Sequence, residues 1–403
     1  MGTGSEEVQH GLDPAVVKAL LDALQPVFPE HRPGTRPLHA LGTGTIGWFR
    51  PSDVAATYCR ARHFNDRETP VLVRFSNGNG QDDPDGQLQP RGMAIRFHIG
   101  GIIDGGGRIV PRGKTPIECT DLLTMSVPVF VAKDIDKVLE FERASKAVKT
   151  RRPSLLARLR SLLTMCPLPP QEDGVTVSGN DAVLKFANGY VPSQGFAVES
   201  MMTRLPASYA RTMYHAVHAF EMCGPDDVVR MVRFFVEPAA GVRSAAPPEA
   251  TGSLISAALR QPKINGLGAQ LPERYLRTEL EGRLAHGPAS FNLRIQIADP
   301  WDDTADPTKP WPPNRQRVLL GTFTIDGFVA DQVSACDALS FNPGRLTDGL
   351  AISNDPILAA RVGVYEASYT RRMEALHAPV AAAECPVVGH RAVTAPASVS
   401  PRS

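Results

Sequence analysis

The chain has 403 residues, of which 42% are aliphatic, aromatic or sulfur-bearing, so it can bury a large core and is not a disordered chain. Basic residues (43) and acidic residues (42) nearly cancel to a net charge of +1, which argues against a nucleic-acid binder that works by charge. No apolar run is long enough to span a membrane. The first residues, MGTGSEEVQHGLDP, lack the basic and apolar regions of a secretory signal, so the expectation is a soluble, cytoplasmic protein. The six cysteines, at 59, 119, 166, 223, 336 and 385, are widely spread with no C-x-x-C pair, which suits a reducing compartment better than a zinc site or a disulfide framework.

In chain order, residues 1–13 read as loose. Val16, Leu20, Leu21 and Leu24 predict a helix over 14–27, with Asp13 as its N-cap. Residues 28–52 read as extended chain and loop, and 52–62 as a short helix. Strands are predicted at 70–76, 92–100, 125–132, 228–238, 290–300 and 318–328. The alternation of Leu293, Ile295 and Ile297 with Arg294, Gln296 and Ala298 is the period of a half-buried strand. Pro128 marks an edge or bulge. Between 134 and 225 the segments DIDKVLEFERASKAV, SLLARLRSLL and LPASYARTMYHAVHAF read as helical. A last helix starts at Pro356 with Asn354 or Asp355 as cap and runs to about Leu376. Residues 377–403 read as a flexible tail. Many antiparallel strands with segregated helices give an α+β class, with a barrel as one solution.

The segment GTGTIG at 42–47 matches the dinucleotide-binding pattern G-x-G-x-x-G. That motif requires a strand before it and a helix after it. Here RPGTRPLHA precedes, and Pro51 blocks an early helix, so a dinucleotide loop is rejected. The neighbours are more informative. Arg36, His39, Ala40, Gly42, Gly44, Gly47 and Phe49 form R-x-x-H-A-x-G-x-G-x-x-G-x-F. Further along stand VRFS at 73–76, PRG-x-A-x-x-F at 90–97, SVPVF at 126–130 and FNPGRLTDGLAISNDPILAARVGVY at 341–365.

In order and spacing this set resembles haem catalases across roughly residues 30 to 375. LPASYARTMYHAVHAF, DPTKPWPPNRQRVLLGTF and RLTDG bring it closest to the small catalase-related peroxidases. The resemblance implies a catalase-like antiparallel β-barrel with surrounding helices. It implies an N-terminal arm over 1–27, a haem domain over 28–376 and a tail over 377–403. The implied cofactor is haem b, with Tyr365 as the iron ligand and Arg361 four residues before it on one helix face. His39 is implied as the acid/base above the iron, with Ser76 orienting its ring. Arg36, Arg74 and Arg372 are implied as partners of the haem propionates, and Phe341 as a wall of the pocket. The glycines of GTGTIG are expected to let the chain turn tightly beside the flat cofactor.

Two departures stand out. Catalases usually carry Asn on the distal strand, and this chain has Ser126 there. A shorter donor weakens oxidation of a second hydrogen peroxide to oxygen and shifts the expectation to peroxidase chemistry with a small organic electron donor. Allene oxide synthases on this fold carry Thr before the distal His, and this chain has Leu38. Two other readings stay open: a haem oxidase, isomerase or oxygenase on a dedicated organic substrate, and a haem-binding sensor. A homodimer is expected only from the family's habits. His215 and His218 lack a third ligand nearby and read as packing or strand-edge residues. NGNGQDDPDG at 77–86 lacks the ligand order of a calcium loop and reads as a solvated connection. The basic run at 146–160 reads as a solvated helix face.

Overall fold

The structure is a computed structural model. It describes residues 13–24, 34–78, 84–86, 89–114, 116–145, 185–245, 271–332, 336 and 338–377. The helix expected at SLLARLRSLL, the basic run and the C-terminal tail lie outside the described residues.

The first element, helix α1 (Pro14–Leu24), starts as the sequence predicts: Asp13 Oδ1 accepts the Ala15 N–H at 2.8 Å. Strands β1 (Gly42–Pro51), β2 (Thr69–Asn77) and β3 (Arg91–Ile99) follow, with the one-turn helix α2 (Ala55–Tyr58) between the first two. A small hairpin, β4 (Gly101–Ile103) and β5 (Ile109–Pro111), leads into β6 (Glu118–Met125). Helices α3 (Ile135–Ser145) and α4 (Gln194–Met202) precede β7 (Tyr214–His215), β8 (Phe220–Cys223) and β9 (Val229–Pro238). Helix α5 (Tyr275–His286), β10 (Ala289–Ile297), β11 (Arg317–Phe328), β12 (Leu350–Ile352) and the long helix α6 (Pro356–His377) complete the chain.

The strand order is β10-β11-β1-β2-β3-β6-β7-β9, and β9 pairs again with β10. Eight strands therefore close into an antiparallel barrel, with β8 and β12 extending from β9 as a side layer. Closure removes the free edges that open sheets must protect. Phe49, Phe75, Phe97, Phe291 and Phe323 are fully buried in the barrel core. Helix α1 packs Leu20 and Leu21 against Ala360 and Val364 of α6.

Four expectations need correction. The segment 28–52 is not loop throughout, because GTGTIG is the start of β1. Its glycines serve close approach and not a tight turn. A Cβ on Gly42 would lie 2.2 Å from the Arg74 guanidinium carbon, and one on Gly47 would lie 1.9 Å from the Thr324 carbonyl oxygen. Gly47 sits at a register shift in the pairing of β1 with β11, where only a bare Cα fits.

The strand expected at 125–132 lies earlier, ending at Met125. Val127, Val129 and Val131 do alternate, but they face a satellite cluster with Phe186 and Phe196 instead of the barrel. Residues 205–220 form no helix. A single 3₁₀ turn at Tyr209–Arg211 is capped by Ser208, whose Oγ accepts the Ala210 N–H at 2.9 Å, and extended chain follows. Helix α5 and the β4–β5 hairpin carry too weak a pattern to have been predicted. The remaining strand expectations hold to within a residue or a few at each end.

Candidate functional site

His39 stands just before β1, at the end of a turn. Its φ is 55°, a left-handed conformation that a residue with a Cβ rarely adopts. Such strain persists only where neighbours over-determine it. The His39 N–H donates to the Gly78 carbonyl at 3.3 Å. The ring lies with Nδ1 3.0 Å from Ser76 Oγ on β2. Gly92 on β3 forms the floor beneath both. A Cβ there would lie 2.7 Å from His39 Cε1, His39 Nδ1 and Ser76 Oγ alike. The glycine of the PRG motif is therefore a cradle for the imidazole.

Burial pushes the His39 pKa down to about 3, helped by the positive charges of Arg74, Arg361 and Arg36. The ring is neutral at ordinary pH. The same three guanidinia are therefore within electrostatic reach of the ring. Arg36 Nη2 donates to the Leu339 carbonyl at 2.5 Å and to the Cys336 carbonyl at 3.2 Å. Arg372, on α6, donates to the same Leu339 carbonyl at 3.3 Å. Arg74, on β2, is buried and donates to the Ala40 carbonyl at 3.2 Å, next to His39.

Helix α6 carries Arg361 and Tyr365 one turn apart. Arg361 Nη2 donates to Tyr365 Oη at 3.0 Å, a charge-assisted bond along one face of the helix. The Arg361 guanidinium also lies 5.8 Å from the Phe130 ring centre. Phe341 is buried two residues beyond Leu339, under the Arg96 guanidinium at 5.1 Å. Arg96 is itself held by Asp121, at 2.7 and 2.8 Å.

Ser126 stands beside the distal group but is partly committed. Its Oγ accepts the Arg91 N–H at 2.9 Å, and its own N–H donates to the Arg91 carbonyl at 2.8 Å. Arg91 adjoins Gly92, so Ser126 clasps the strand one residue from the imidazole cradle.

The sequence reading missed one pair. His218 Nδ1 lies 2.6 Å from Asp355 Oδ2, and both are buried. Burial lowers the His218 pKa to about 4, against the pull of the Asp355 bond, so a neutral ring donates Nδ1–H to the carboxylate. The other oxygen, Asp355 Oδ1, accepts the Ile357 N–H at 2.8 Å and the Leu358 N–H at 3.3 Å. One carboxylate thus caps the helix that bears Tyr365 and fixes His218, whose ring also approaches Phe130 at 5.3 Å. The cap was legible in the sequence. Its second partner lies 137 positions away. His215 is a plain strand residue of β7, opposite Met125 and Phe235.

A family profile described as Catalase matches residues 18–154 and 194–395. The chain belongs to the catalase family. Among curated members of the family, it is 32% identical over 342 residues to a catalase-related peroxidase of Mycolicibacterium paratuberculosis, covering 85% of this chain and 90% of that protein. It is 26% identical to a catalase-related peroxidase of Synechococcus elongatus, covering 85% of each. Catalase-2 of Bacillus subtilis is also 26% identical, but this chain spans only 44% of it. A fungal catalase crystal structure shares the fold with a TM-score of 0.63 at 20% identity, over 93% of this chain and 66% of that one.

The catalase family implies a haem, and the donor set fits one. The charged groups that bear on His39 are guanidinia, suited to a planar dianion. A phenol that accepts from a guanidinium would suit ferric iron, and the imidazole is neutral and within electrostatic reach of that guanidinium. Among the described residues, no three His, Cys, Asp or Glu gather as a separate metal site. No helix among them is long and apolar enough to cross a membrane.

Proposed function

We propose that the protein is a haem b peroxidase that reduces hydrogen peroxide or organic hydroperoxides while oxidising a small organic donor, with weak or no catalase activity. The carrying observation is the Arg361–Tyr365 bond, together with a neutral His39 close enough to feel Arg361. The names of the two catalase-related peroxidases, matched over most of their length, support the same reading.

In this reading Tyr365 would ligate the iron, with the Arg361 guanidinium donating to its oxygen. Arg36, Arg74 and Arg372 would hold the propionates, and Phe341 would close one wall. Bound haem supplies a Lewis-acidic iron that stores the two oxidising equivalents of the peroxide.

The side chains handle the proton. Ser76 Oγ engages Nδ1 of His39, which assigns Nε2 to the peroxide. Nε2 accepts the proton of the near peroxide oxygen and returns it to the far one, which leaves as water or alcohol. Two electrons and two protons from the donor then complete the reduction and release a water.

Ser126, clasped to Arg91 and shorter than Asn, leaves a second peroxide poorly held for oxidation. Replacing Ser126 by Asn is expected to raise oxygen evolution per mole of haem.

The test is an absorption spectrum of haem-loaded protein before and after one equivalent of peroxide, repeated on Tyr365→Phe. A tyrosinate-type ferric spectrum that changes with peroxide, and that is lost in Tyr365→Phe, supports the proposal. Stoichiometric haem with an unchanged spectrum in Tyr365→Phe would remove the ligand assignment.

A further inference from the structure

The connection 77–86 reads in sequence as solvated, but the structure anchors it inside the protein at Asn77 and at Asp85, which are 1% and 2% exposed. Asn77 Nδ2 donates to Asp85 Oδ1 at 2.8 Å. Arg91, among the largest fully buried side chains, spans the same pair. Its Nη1 donates to Asn77 Oδ1 at 2.8 Å, and its Nη2 donates to the Asp85 carbonyl at 2.7 Å. Asp85 reaches on to helix α5. Its Oδ2 accepts the Leu276 N–H at 2.9 Å, and its own N–H donates to the Glu273 carbonyl at 2.8 Å. A buried guanidinium and a buried carboxylate are thus joined through one amide, and such groups are tolerated inside a protein only when bonded in this way.

The place of these bonds gives them a consequence for the site. Asn77 is the last residue of β2 and Arg91 the first of β3, and the two stand opposite each other. Strand ends beside a long connection fray unless something holds them. The next pair inwards is Ser76 with Gly92, the two residues that hold the His39 ring. Side chains alternate along a strand, so Ser76 and Gly92 face the imidazole while Asn77 and Arg91 share the opposite face with Phe75 and Met93 of the barrel core.

His39 leans on three consecutive residues at this strand end. Its ring meets Ser76 Oγ, a backbone hydrogen bond at Asn77 favours its protonated form, and its own N–H donates to the Gly78 carbonyl. Its left-handed backbone makes it dependent on those neighbours for its place. The main chain of Arg91 meanwhile exchanges two bonds with Ser126. One residue, Arg91, therefore ties together the end of β2, the start of β3 and Ser126.

We propose that Asp85, Asn77 and Arg91 are positioning residues for His39: a buried clamp, on the far face of β2 and β3 from the imidazole, that fixes the tautomer and the aim of the ring. The proposal rests on the reading of His39 as the acid/base. The three side chains act through the backbone they hold and not on peroxide. The planar fork of Arg91 matters as well as its charge, because two bonds to two different residues must be held at once.

The test reads His39 first without haem. The ring nitrogens of the full-length protein, carrying isotope-labelled histidine, are recorded by NMR at neutral pH, and His39 is assigned by the signal lost in His39→Gln. The wild type is expected to show one tautomer, and Arg91→Met the averaged shifts of a ring that exchanges between two. Arg91→Lys, which keeps the charge but not the fork, should lie between them. Leu293→Ala is the stability control. It removes buried bulk at the far end of β1 from His39, since Leu293 and Pro51 both pair with Gly321. It should keep the wild-type tautomer at an equal or greater loss of melting temperature. In the haem-loaded proteins, Arg91→Met should reduce peroxide at least ~tenfold more slowly at unchanged haem uptake. A wild-type tautomer in Arg91→Met would overturn the proposal. So would an averaged ring in the wild type or in Leu293→Ala. Where Arg91→Met fails to fold, Asn77→Ala, which keeps the Asn77 carbonyl, gives the same comparison. The first readout needs no haem. A ring that loosens in Arg91→Met, in a protein whose haem-loaded wild type turns over no peroxide, would leave the clamp standing and remove the peroxidase reading.

Discussion

At the scale of single residues, His39 shows how much of a site is made by what surrounds it. Its strained backbone, its bond to Ser76 and the bare Cα of Gly92 together leave the ring one place to sit. Gly92→Ala would force the ring or Ser76 aside. Since a misplacement of about 1 Å costs roughly 10²-fold in rate, stopped-flow reduction of peroxide should slow by ten- to a hundred-fold while haem binding persists. The ionisation of His39 gives a second prediction. Its ordinary value is near 6.5, and here it is held at about 3. As the proposed base, the ring is therefore unprotonated well below neutrality, and kcat/KM for peroxide should run level through pH 6.5 and fall only towards pH 4. A rate that halves near pH 6.5 would show that the ring is solvated in the working enzyme. His39, Ser76 and Tyr365 were readable from the sequence because each lies in a contiguous motif. Gly92 was readable as a motif letter but not as a cradle, because its meaning depends on a side chain from another segment.

At the scale of elements, β1 and α6 show what a sequence exposes and what it hides. Helix α6 was legible to within one residue of its cap, Asn354 or Asp355, since a capping residue before Pro356 is a local signal and helix contacts repeat along the chain. The GTGTIG strand was hidden, because glycines are poor strand formers and the reason for them lies on β2 and β11. The LPASYARTMYHAVHAF segment misled for the opposite reason: its local pattern suits a helix, but pairing with β6, β9 and β12 outweighs it. Asp355 yields the prediction at this level. Asp355→Ala removes the cap of α6, worth about 0.5–2 kcal/mol, and strands the buried His218. Urea unfolding should show a loss at or above the top of that range. A double-mutant cycle with His218→Ala should be non-additive, because the two changes delete one shared bond. Additive losses would mean that the cap and the His218 contact act independently.

At the scale of the whole molecule, buried neutral histidines link stability to acidity. His63 is fully buried between Phe64 and Phe97, and burial alone lowers its pKa to about 3. His218 is held near 4. The unfolded chain takes up protons at such sites near pH 6.5, whereas the folded chain does not until much lower pH. Stability from these groups is therefore complete above pH 6.5 and drains away as pH falls towards their folded values. Each contributes up to about 1.4 kcal/mol per pH unit in that window. Urea midpoints should fall clearly between pH 7 and pH 5, and His63→Phe, a change of similar shape without the proton, should flatten the fall. An unchanged pH slope in His63→Phe would mean that His63 gains a proton partner in solution. The α+β class was foreseeable from the many strands and segregated helices, and the barrel from the resemblance to catalases. Its closure through β9 and β10 was not, because no local pattern records which distant strands meet.

That closure also sets a timetable. The first barrel strand pairs with β11, which ends at Phe328, and the phenol proposed as the iron ligand arrives at residue 365. A chain growing from its N-terminus carries its distal half long before its proximal half exists. Pairing over such sequence distances is slow, and domains complete themselves only as their last elements emerge. The cofactor pocket is thus among the last features to form during synthesis, and nascent chains stalled before Pro356 should be unable to take up haem through Tyr365.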